Sequence, residues 1–171
     1  MVGADYEIMA AIVFRQLRES DAQSVQAVAL EAWRYTYRAI FDQQFIENFV
    51  RRNYAPETTV SLLPRIHSGS MFFDVAERQS MIVGFCNIGV TGPGAQLLRI
   101  YLRPAYIGQG LGRQLLQRGE AFVVAQGIKT YFCFVHQDNE LGKRFYLRNG
   151  FRHITEKDHD DEWYMEKALP A

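Results

Sequence analysis

The chain has 171 residues, of which 48% are hydrophobic, 13% aromatic and 22% charged. This composition is that of an ordinary globular protein and excludes a disordered or fibrous one, and the length suits one domain that spans residues 1–171. Nineteen basic residues balance nineteen acidic ones, so the molecule has no net field to attract nucleic acid, and we expect no nucleic-acid partner.

Strand-like and helix-like patterns follow one another along the chain. Seven segments show the alternating or continuous apolar pattern of β-strands, namely 11–17, 71–77, 81–90, 97–102, 128–135, 151–156 and 162–169. Five segments show helical patterns, namely a helix capped by Ser20 or Asp21, 42–52, 56–67, a helix from Leu111 that ends before Gly127, and 139–149. The continuous apolar character of 128–135 predicts a strand that is buried on both faces.

Cysteine usage and hydropathy indicate the compartment. Cys86 and Cys133 lie in apolar strand-like segments, and neither belongs to a CxxC or CxxH pattern, so we expect small core residues and no metal site. No segment reaches the roughly 18 apolar residues of a membrane span, and the N-terminus lacks the pattern of a secretion signal. The sequence therefore predicts a cytoplasmic protein without a membrane partner.

A glycine-rich turn, IGQGLG at 107–112, joins the fourth predicted strand to the next helix. A strand that enters a helix through such a turn presents backbone N–H groups and the positive end of the helix dipole to one point, which favours an anion. The turn lacks the Lys-Ser or Lys-Thr of a P-loop, and its GxGxG spacing after three strands does not match a dinucleotide fingerprint. The turn alone indicates an anion site and no more.

Two motifs in this order resemble those of the GNAT superfamily of N-acetyltransferases. The segment 97–116, LLRIYLRPAYIGQGLGRQLL, is similar to the acyl-CoA-binding motif Arg/Gln-x-x-Gly-x-Gly/Ala. Gly110 and Gly112 occupy the two motif glycines, whereas Ile107 replaces the usual Arg or Gln. The second motif, Asn-x-x-Ala-x-x-Phe-Tyr followed by Gly-Phe, is matched by Asn139, Gly142, Phe145, Tyr146, Gly150 and Phe151. The resemblance extends over residues 11–169.

The resemblance implies an α/β (α+β) fold, a single domain with a mixed, largely antiparallel central sheet of about seven strands flanked by helices. It also implies that a β-bulge splays the fourth and fifth strands apart and that acetyl-CoA lies in the gap. By strand parity, the free amides that pair with this cofactor are those of Ile100 and Leu102. The other residues implied to bind it are Ile107, Gly108, Gln109, Gly110, Leu111, Gly112, Arg113, Asn139 and Tyr146.

The resemblance further implies direct acetyl transfer to an amine, with Tyr146 as the general acid that protonates the departing thiolate. A phenol of pKa about 10 can pass a proton to a thiolate of pKa about 8.5 at a cost of roughly 2 kcal/mol. The identity of the general base is not assigned by the resemblance. Gln96 occupies the position where many relatives carry a Glu, and an amide cannot take up a proton. His136, Glu31 and a water relay are the alternatives.

The segment 31–42 resembles the same region of the PaiA-type spermidine/spermine N-acetyltransferases, a branch of this superfamily. Its aromatic residues Trp33, Tyr35 and Tyr37, together with the acidic loop 158–162, suit a polycation through cation–π and charge contacts. We therefore expect a small-molecule amine as substrate, with a polyamine as the first candidate. The alternative acceptors are aminoglycosides, amino acids, and a protein N-terminus or lysine. The alternative to an enzyme is a non-catalytic acyl-CoA-binding regulatory protein. A homodimer is also compatible with the sequence.

Overall fold

The computed structural model describes residues 11–170, in which seven strands form one sheet. The strands are β1 Val13–Gln16, β2 Met71–Arg78, β3 Met81–Thr91, β4 Gly94–Leu102, β5 Thr130–His136, β6 Arg152–His153 and β7 Glu162–Ala168. Their order is β1-β2-β3-β4-β5-β7-β6, and all neighbours are antiparallel except β4 and β5, which run parallel. The predicted mixed, largely antiparallel sheet is confirmed. Residues 1–10 and 171 of the predicted domain lie outside the described residues.

Helices cover both faces of this sheet. They are α1 Ala22–Tyr37, α2 Gln43–Asn53, α3 Pro56–Val60, α4 Leu63–His67, α5 Leu111–Ala125 and α6 Glu140–Arg148. On one face, Val28 of α1 and Ile46 of α2 share a buried cluster with Phe85 of β3. On the other face, Leu115 of α5 shares a second cluster with Ile88 of β3. None of the helices described between residues 11 and 170 has both the length and the apolar character needed to cross a membrane.

Three predictions about individual elements are wrong. The strand expected over 151–156 is only the two-residue β6, because residues 155–157 form a 3-10 turn. The helix expected over 56–67 is divided into α3 and α4, because Pro64 has no N–H to donate and its ring conflicts with the carbonyl of Val60, four residues earlier. Strand β5 is not buried on both faces, since Cys133 is buried but Phe134 is only half-buried. The α1 side of the core takes its sheet residues from β2, β3 and β4, which leaves that face of β5 partly uncovered.

The sheet opens between β4 and β5. The two strands pair only through Ala95 with Tyr131 and Gln96 with Phe132, near the start of each strand. Just beyond, Leu98 is an extra residue in the register of β4 against β3, a β-bulge that bends the rest of the strand away. The predicted splay between the fourth and fifth strands is therefore present, and it leaves a gap edged by backbone.

Candidate active site

The gap between β4 and β5 widens into a cleft of about 460 Å³. Its walls come from β4, β5, the glycine turn before α5, the helix α6 and the last turns of α1. The predicted site residues that line it are Ile100, Leu102, Ile107, Gly108, Gly110, Gly112, Arg113, Asn139 and Tyr146. Two predicted residues point elsewhere, since Gln109 Nε2 donates to the carbonyl of Ala105 at 2.8 Å and the Leu111 side chain is buried in the core.

The glycine turn has the geometry of an anion site. Gly108 and Gly110 both have φ of 82°, in the left-handed region that glycine adopts without strain. A Cβ at either position would meet no atom within 4 Å, so the space in front of the turn is open. The first hydrogen bond within α5 joins Gln114 N to Gly110 O at 3.1 Å, and the first three amides of the helix have no acceptor within it. This turn can therefore accept a pyrophosphate.

The backbone of β4 offers a second set of donors. The amide of Arg103, just after the strand, donates to the carbonyl of Val83 on β3 at 2.8 Å. Because amides alternate in direction along a strand, those of Ile100 and Leu102 point away from β3 and toward the gap. An extended ligand in the gap can pair with them as a neighbouring strand would.

Asn139 caps α6 and links this helix to α1. Its Oδ1 accepts from the amide of Gly142 at 2.8 Å, and its Nδ2 donates to the hydroxyl of Tyr37 at 3.1 Å. A methyl group on Gly142 would lie 2.8 Å from Asn139 Nδ2 and 3.0 Å from Val135 Cγ2, which explains why glycine replaces the alanine of the motif. Asn139 is thus a buried helix cap, and its contact with the cofactor stays a prediction.

Gly142→Ala should break the link between Asn139 and Tyr37. Alanine normally favours a helix interior over glycine by about 1 kcal/mol, but here the new methyl displaces the cap and costs about 1 to 2 kcal/mol. We expect the free energy of unfolding in urea to stay level or fall in the wild-type background. In an Asn139→Ala background only the tight contact with Val135 remains, so the same change should be more favourable than in the wild type by about 1 kcal/mol. Equal stabilisation in both backgrounds would contradict the contact.

Tyr146 is held in the cleft wall by aromatic packing. Its ring lies edge-on to those of Phe145 and Phe151, with centroid distances of 5.5 and 5.3 Å. Burial raises the pKa of its hydroxyl well above the usual value near 10, so the phenol is protonated at neutral pH. This state fits the general acid predicted for Tyr146, and the role itself stays a prediction.

The two candidate general bases do not line the cleft. Glu31 lies on the exposed side of α1 and forms an ion pair with Arg103. His136 ends β5, and its Nδ1 accepts a hydrogen bond from the amide of Asp138 at 3.2 Å, which leaves the proton of a neutral ring on Nε2. Gln96 lies in the closed part of the β4–β5 pair. The geometry supports neither base, and both assignments stay predictions.

The cleft also contains side chains that the sequence did not single out. Arg99 and Tyr101 line it from β4, and Arg148 lines it from α6. Burial raises the pKa of Tyr101 well above 10 and that of Tyr37 to about 12, so both phenols are neutral at physiological pH. A single charged residue inside the apolar strand LLRIYL was the available signal for Arg99. The other two depend on tertiary packing. Among the described residues that line the cleft, none is acidic.

Known proteins share this sequence and this arrangement. A family model described as an acetyltransferase (GNAT) domain matches residues 68–153. The spermidine N(1)-acetyltransferase of Thermoplasma acidophilum is 32% identical over 161 residues, which cover 94% of this chain and 99% of that protein. The chain belongs to the GNAT family of acetyltransferases.

Solved structures show the same GNAT fold. The crystal structure of the PaiA N-acetyltransferase of Thermoplasma acidophilum in complex with coenzyme A superposes with a TM-score of 0.89 and 31% identity, over 93% of this chain and 99% of that one. A GNAT acetyltransferase of Staphylococcus aureus shares the fold, with a TM-score of 0.74 and 17% identity over 94% of this chain and 100% of that one. GNAT enzymes use acetyl-CoA, and the open glycine turn and the free edge of β4 fit this cofactor.

Proposed function

We propose that this acetyltransferase acts on a primary amine of a polyamine. The observation that carries the proposal is the similarity to a spermidine N(1)-acetyltransferase over nearly the full length of both chains. We infer that the acceptor enters at the end of the cleft beside α1 and the start of β7, the acceptor end. A polyamine needs negative charge there, because each of its amines is an ammonium at neutral pH. The acidic loop before β7 supplies that charge.

One carboxylate of this loop, that of Glu162, is the candidate for an effect on the cleft. Three others have partners of their own, Asp158 with His153, Asp160 with His159 and Asp161 with Gln137. Glu162 faces His136 across the β5–β7 ladder. Burial raises the pKa of Tyr37 to about 12, and the Glu162 carboxylate adds to this rise, so its field reaches the Tyr37 hydroxyl. Glu162 is therefore our candidate for binding a distal ammonium group.

The aromatic residues of α1 contribute less than their pattern predicts. Trp33 is buried and packs against Tyr37 and Phe49, each at a centroid distance of 4.3 Å. The cation–π contact expected for Trp33 is wrong, because a core ring offers no face to a ligand. Tyr35 is exposed, and its ring already faces the guanidinium of Arg38 at 5.4 Å. Recognition of the acceptor thus depends on charge more than on these rings.

Bound acetyl-CoA supplies an acetyl thioester for attack by the amine. The amides of Ile100 and Leu102 face the gap, and one of them can donate to the thioester oxygen and stabilise the negative charge that develops there. Tyr146 can give its proton to the sulfur as the C–S bond breaks. Because burial raises the pKa of Tyr146, the phenol acts through a hydrogen bond that strengthens as charge builds on the sulfur.

A panel of amines with a thiol-release readout tests the proposal. Spermidine, spermine, putrescine, an aminoglycoside, single amino acids and a peptide with a free N-terminus would be compared at equal acetyl-CoA. We expect kcat/KM for spermidine or spermine to exceed that of every non-polyamine by at least about ten-fold. A peptide or an amino acid as the best acceptor would overturn the proposal. Acetyl-CoA binding by calorimetry without thiol release from any amine would indicate the regulatory alternative.

Glu162→Gln should weaken the acceptor without affecting the donor. Loss of one carboxylate that faces an ammonium near the surface costs about 0.5 to 1 kcal/mol, so we expect KM for spermidine to rise about three-fold and KM for acetyl-CoA to stay level. Glu156→Gln is the matched control, because Glu156 is an exposed acid in the turn Thr155–Lys157 and its loss should change neither constant. Equal effects of the two variants would exclude a specific role for Glu162.

A further inference from the structure

Arg99 lines the cleft and directly precedes Ile100, whose amide faces the gap. We propose that the guanidinium of Arg99 lowers the pKa of the acceptor ammonium in the cleft, so that the enzyme forms its nucleophile without a carboxylate base. The inference rests on the proposed transfer to an amine. It gives Arg99 an electrostatic role that acts on the acceptor through space.

The charge of Arg99 is not neutralised by its contacts. Its Nη2 donates to the carbonyl of Asn53 at 3.0 Å, and its Cζ lies 4.4 Å from the centroid of the Tyr54 ring. A backbone carbonyl and an aromatic face hold the side chain in place but carry no net charge. Within residues 11–170, no carboxylate lies within 4.0 Å of its guanidinium nitrogens. Arg99 is therefore a half-buried residue of the cleft wall whose charge is not offset by a carboxylate.

The cations of the cleft have separate positions. Arg113 follows the glycine turn in the first turn of α5, where a pyrophosphate would lie, and Arg148 ends α6. Arg99 and Tyr101 lie instead on β4, and Tyr101 packs with the core on the α1 side of the sheet. Arg99 is thus the cation on the α1 side of the cleft, whereas Arg113 lies beside the glycine turn.

The other titratable groups on the elements next to the acceptor end do not supply a base. They are Glu31 and Tyr37 of α1, Tyr54 after α2, Tyr101 of β4, Arg103 after β4, His136 of β5, Tyr146 of α6 and Glu162 of β7. Burial raises the pKa of Tyr37, Tyr101 and Tyr146, which keeps these phenols protonated. Glu31 is paired with Arg103, and the His136 Nδ1 is engaged by a backbone amide. Glu162, at the exposed start of β7, opposes Arg99 in sign and would be neutralised by a distal ammonium.

The expected effect reaches the lower end of what a general base contributes, which is about a hundred-fold. An alkylammonium of pKa about 10.4 is neutral in only a few parts in ten thousand at pH 7. A like charge at roughly 6 to 10 Å, with an effective dielectric constant near 20, lowers that pKa by about one to two pH units. The neutral fraction then rises by about ten-fold to a hundred-fold. A carboxylate in the same place would raise the pKa and hold the amine in its unreactive form.

The proton balance needs no further reactant. The acceptor ammonium loses one proton to water in the open cleft, and the neutral nitrogen forms the C–N bond as the C–S bond breaks. The sulfur takes its proton from Tyr146, and Tyr146 regains one from the acylated nitrogen. The sum is one ammonium and one acetyl-CoA consumed, and one amide, one coenzyme A thiol and one free proton formed.

The test is the pH profile of kcat for the wild type, Arg99→Gln and Arg99→Lys, with the best amine of the panel as acceptor. We expect Arg99→Gln to move the apparent pKa of the rising limb up by about one pH unit, which lowers kcat about ten-fold at pH 7 and restores it above pH 10. KM for the amine should stay level or fall, because repulsion is removed. Arg99→Lys keeps a charge and should retain most of the wild-type profile.

A weakly basic acceptor separates this role from a structural one. Trifluoroethylamine is already neutral at pH 7, so Arg99→Gln should not lower its rate relative to the wild type. Three results would overturn the inference and leave the proposed function intact. They are a loss of rate in Arg99→Gln that is the same at every pH, a loss that is the same for both acceptors, and a loss that Arg99→Lys also shows. A wild type that releases no thiol with any amine would overturn both.

Discussion

Tyr146→Phe is expected to lower kcat at pH 7 by about thirty-fold or more and to leave the affinity for acetyl-CoA unchanged. The phenylalanine keeps the edge-on contacts with Phe145 and Phe151, so the wall of the cleft is preserved. The change removes only the proton that would meet the departing sulfur, and general acid catalysis typically contributes about a hundred-fold or more. Initial rates at saturating amine and calorimetric binding of coenzyme A measure the two quantities.

Tyr164→Phe is the matched control for this change. Its hydroxyl donates to Glu166 at 3.2 Å on β7, outside the cleft, and its loss should leave kcat within about two-fold of the wild type. The pH profile gives a second check. Because burial raises the pKa of Tyr146 well above 10, the acid stays protonated through the working range, and kcat should show no falling limb below pH 10. Unchanged turnover in Tyr146→Phe, or a falling limb near pH 8, would remove Tyr146 from this role.

Gly110→Ala is expected to raise KM for acetyl-CoA by roughly twenty-fold. The residue has φ of 82°, which costs an L-residue about 1 to 2 kcal/mol, and its new methyl would occupy the open space that a phosphate must enter. Loss of one or two charge-assisted hydrogen bonds from backbone amides accounts for an effect of this size. Turnover at saturating acetyl-CoA should change much less than KM, since Tyr146 is untouched.

Gly127→Ala separates ligand binding from backbone strain. Gly127 follows the other end of α5, has φ of 75° and, like Gly110, has no atom within 4 Å of an added Cβ. Both variants should therefore lose a similar free energy of unfolding, about 1 kcal/mol, but only Gly110→Ala should lose affinity for acetyl-CoA. A similar KM in the two variants would show that the turn before α5 does not bind the donor.

Local chemistry made most of the fold predictable. The capping positions before α2 and α6 contain Asp42 and Asn139, and both side chains accept the capping hydrogen bond from the predicted helix. The wrong predictions concern features that depend on contacts with neighbouring residues and elements rather than on the local sequence pattern. Pro64 divided a helix whose pattern was otherwise continuous, and β5 has a partly uncovered face because the α1 side of the core ends at β4.

The site was predictable where it is made of backbone and less so where it is made of side chains. The glycine turn and the amides of Ile100 and Leu102 follow from spacing and from strand parity. The position of His136 outside the cleft wall and the burial of Trp33 depend on how α1 packs on the sheet, and no local pattern contains that information. Arg99 is an intermediate case. The sequence shows a charged residue in an apolar strand, but it does not show that no carboxylate lies beside the guanidinium.

The open gap has a consequence for how this enzyme can change. Beyond Gln96, the edge of β4 has no strand beside it on the β5 side, and a free sheet edge is ordinarily a hazard that proteins cover. In the binding mode proposed above, the donor molecule would take the vacant position and pair with backbone amides, which every residue except proline supplies. Because this pairing does not depend on side chains, substitutions on the acceptor wall of β4 should change the preferred amine while leaving the affinity for acetyl-CoA unchanged.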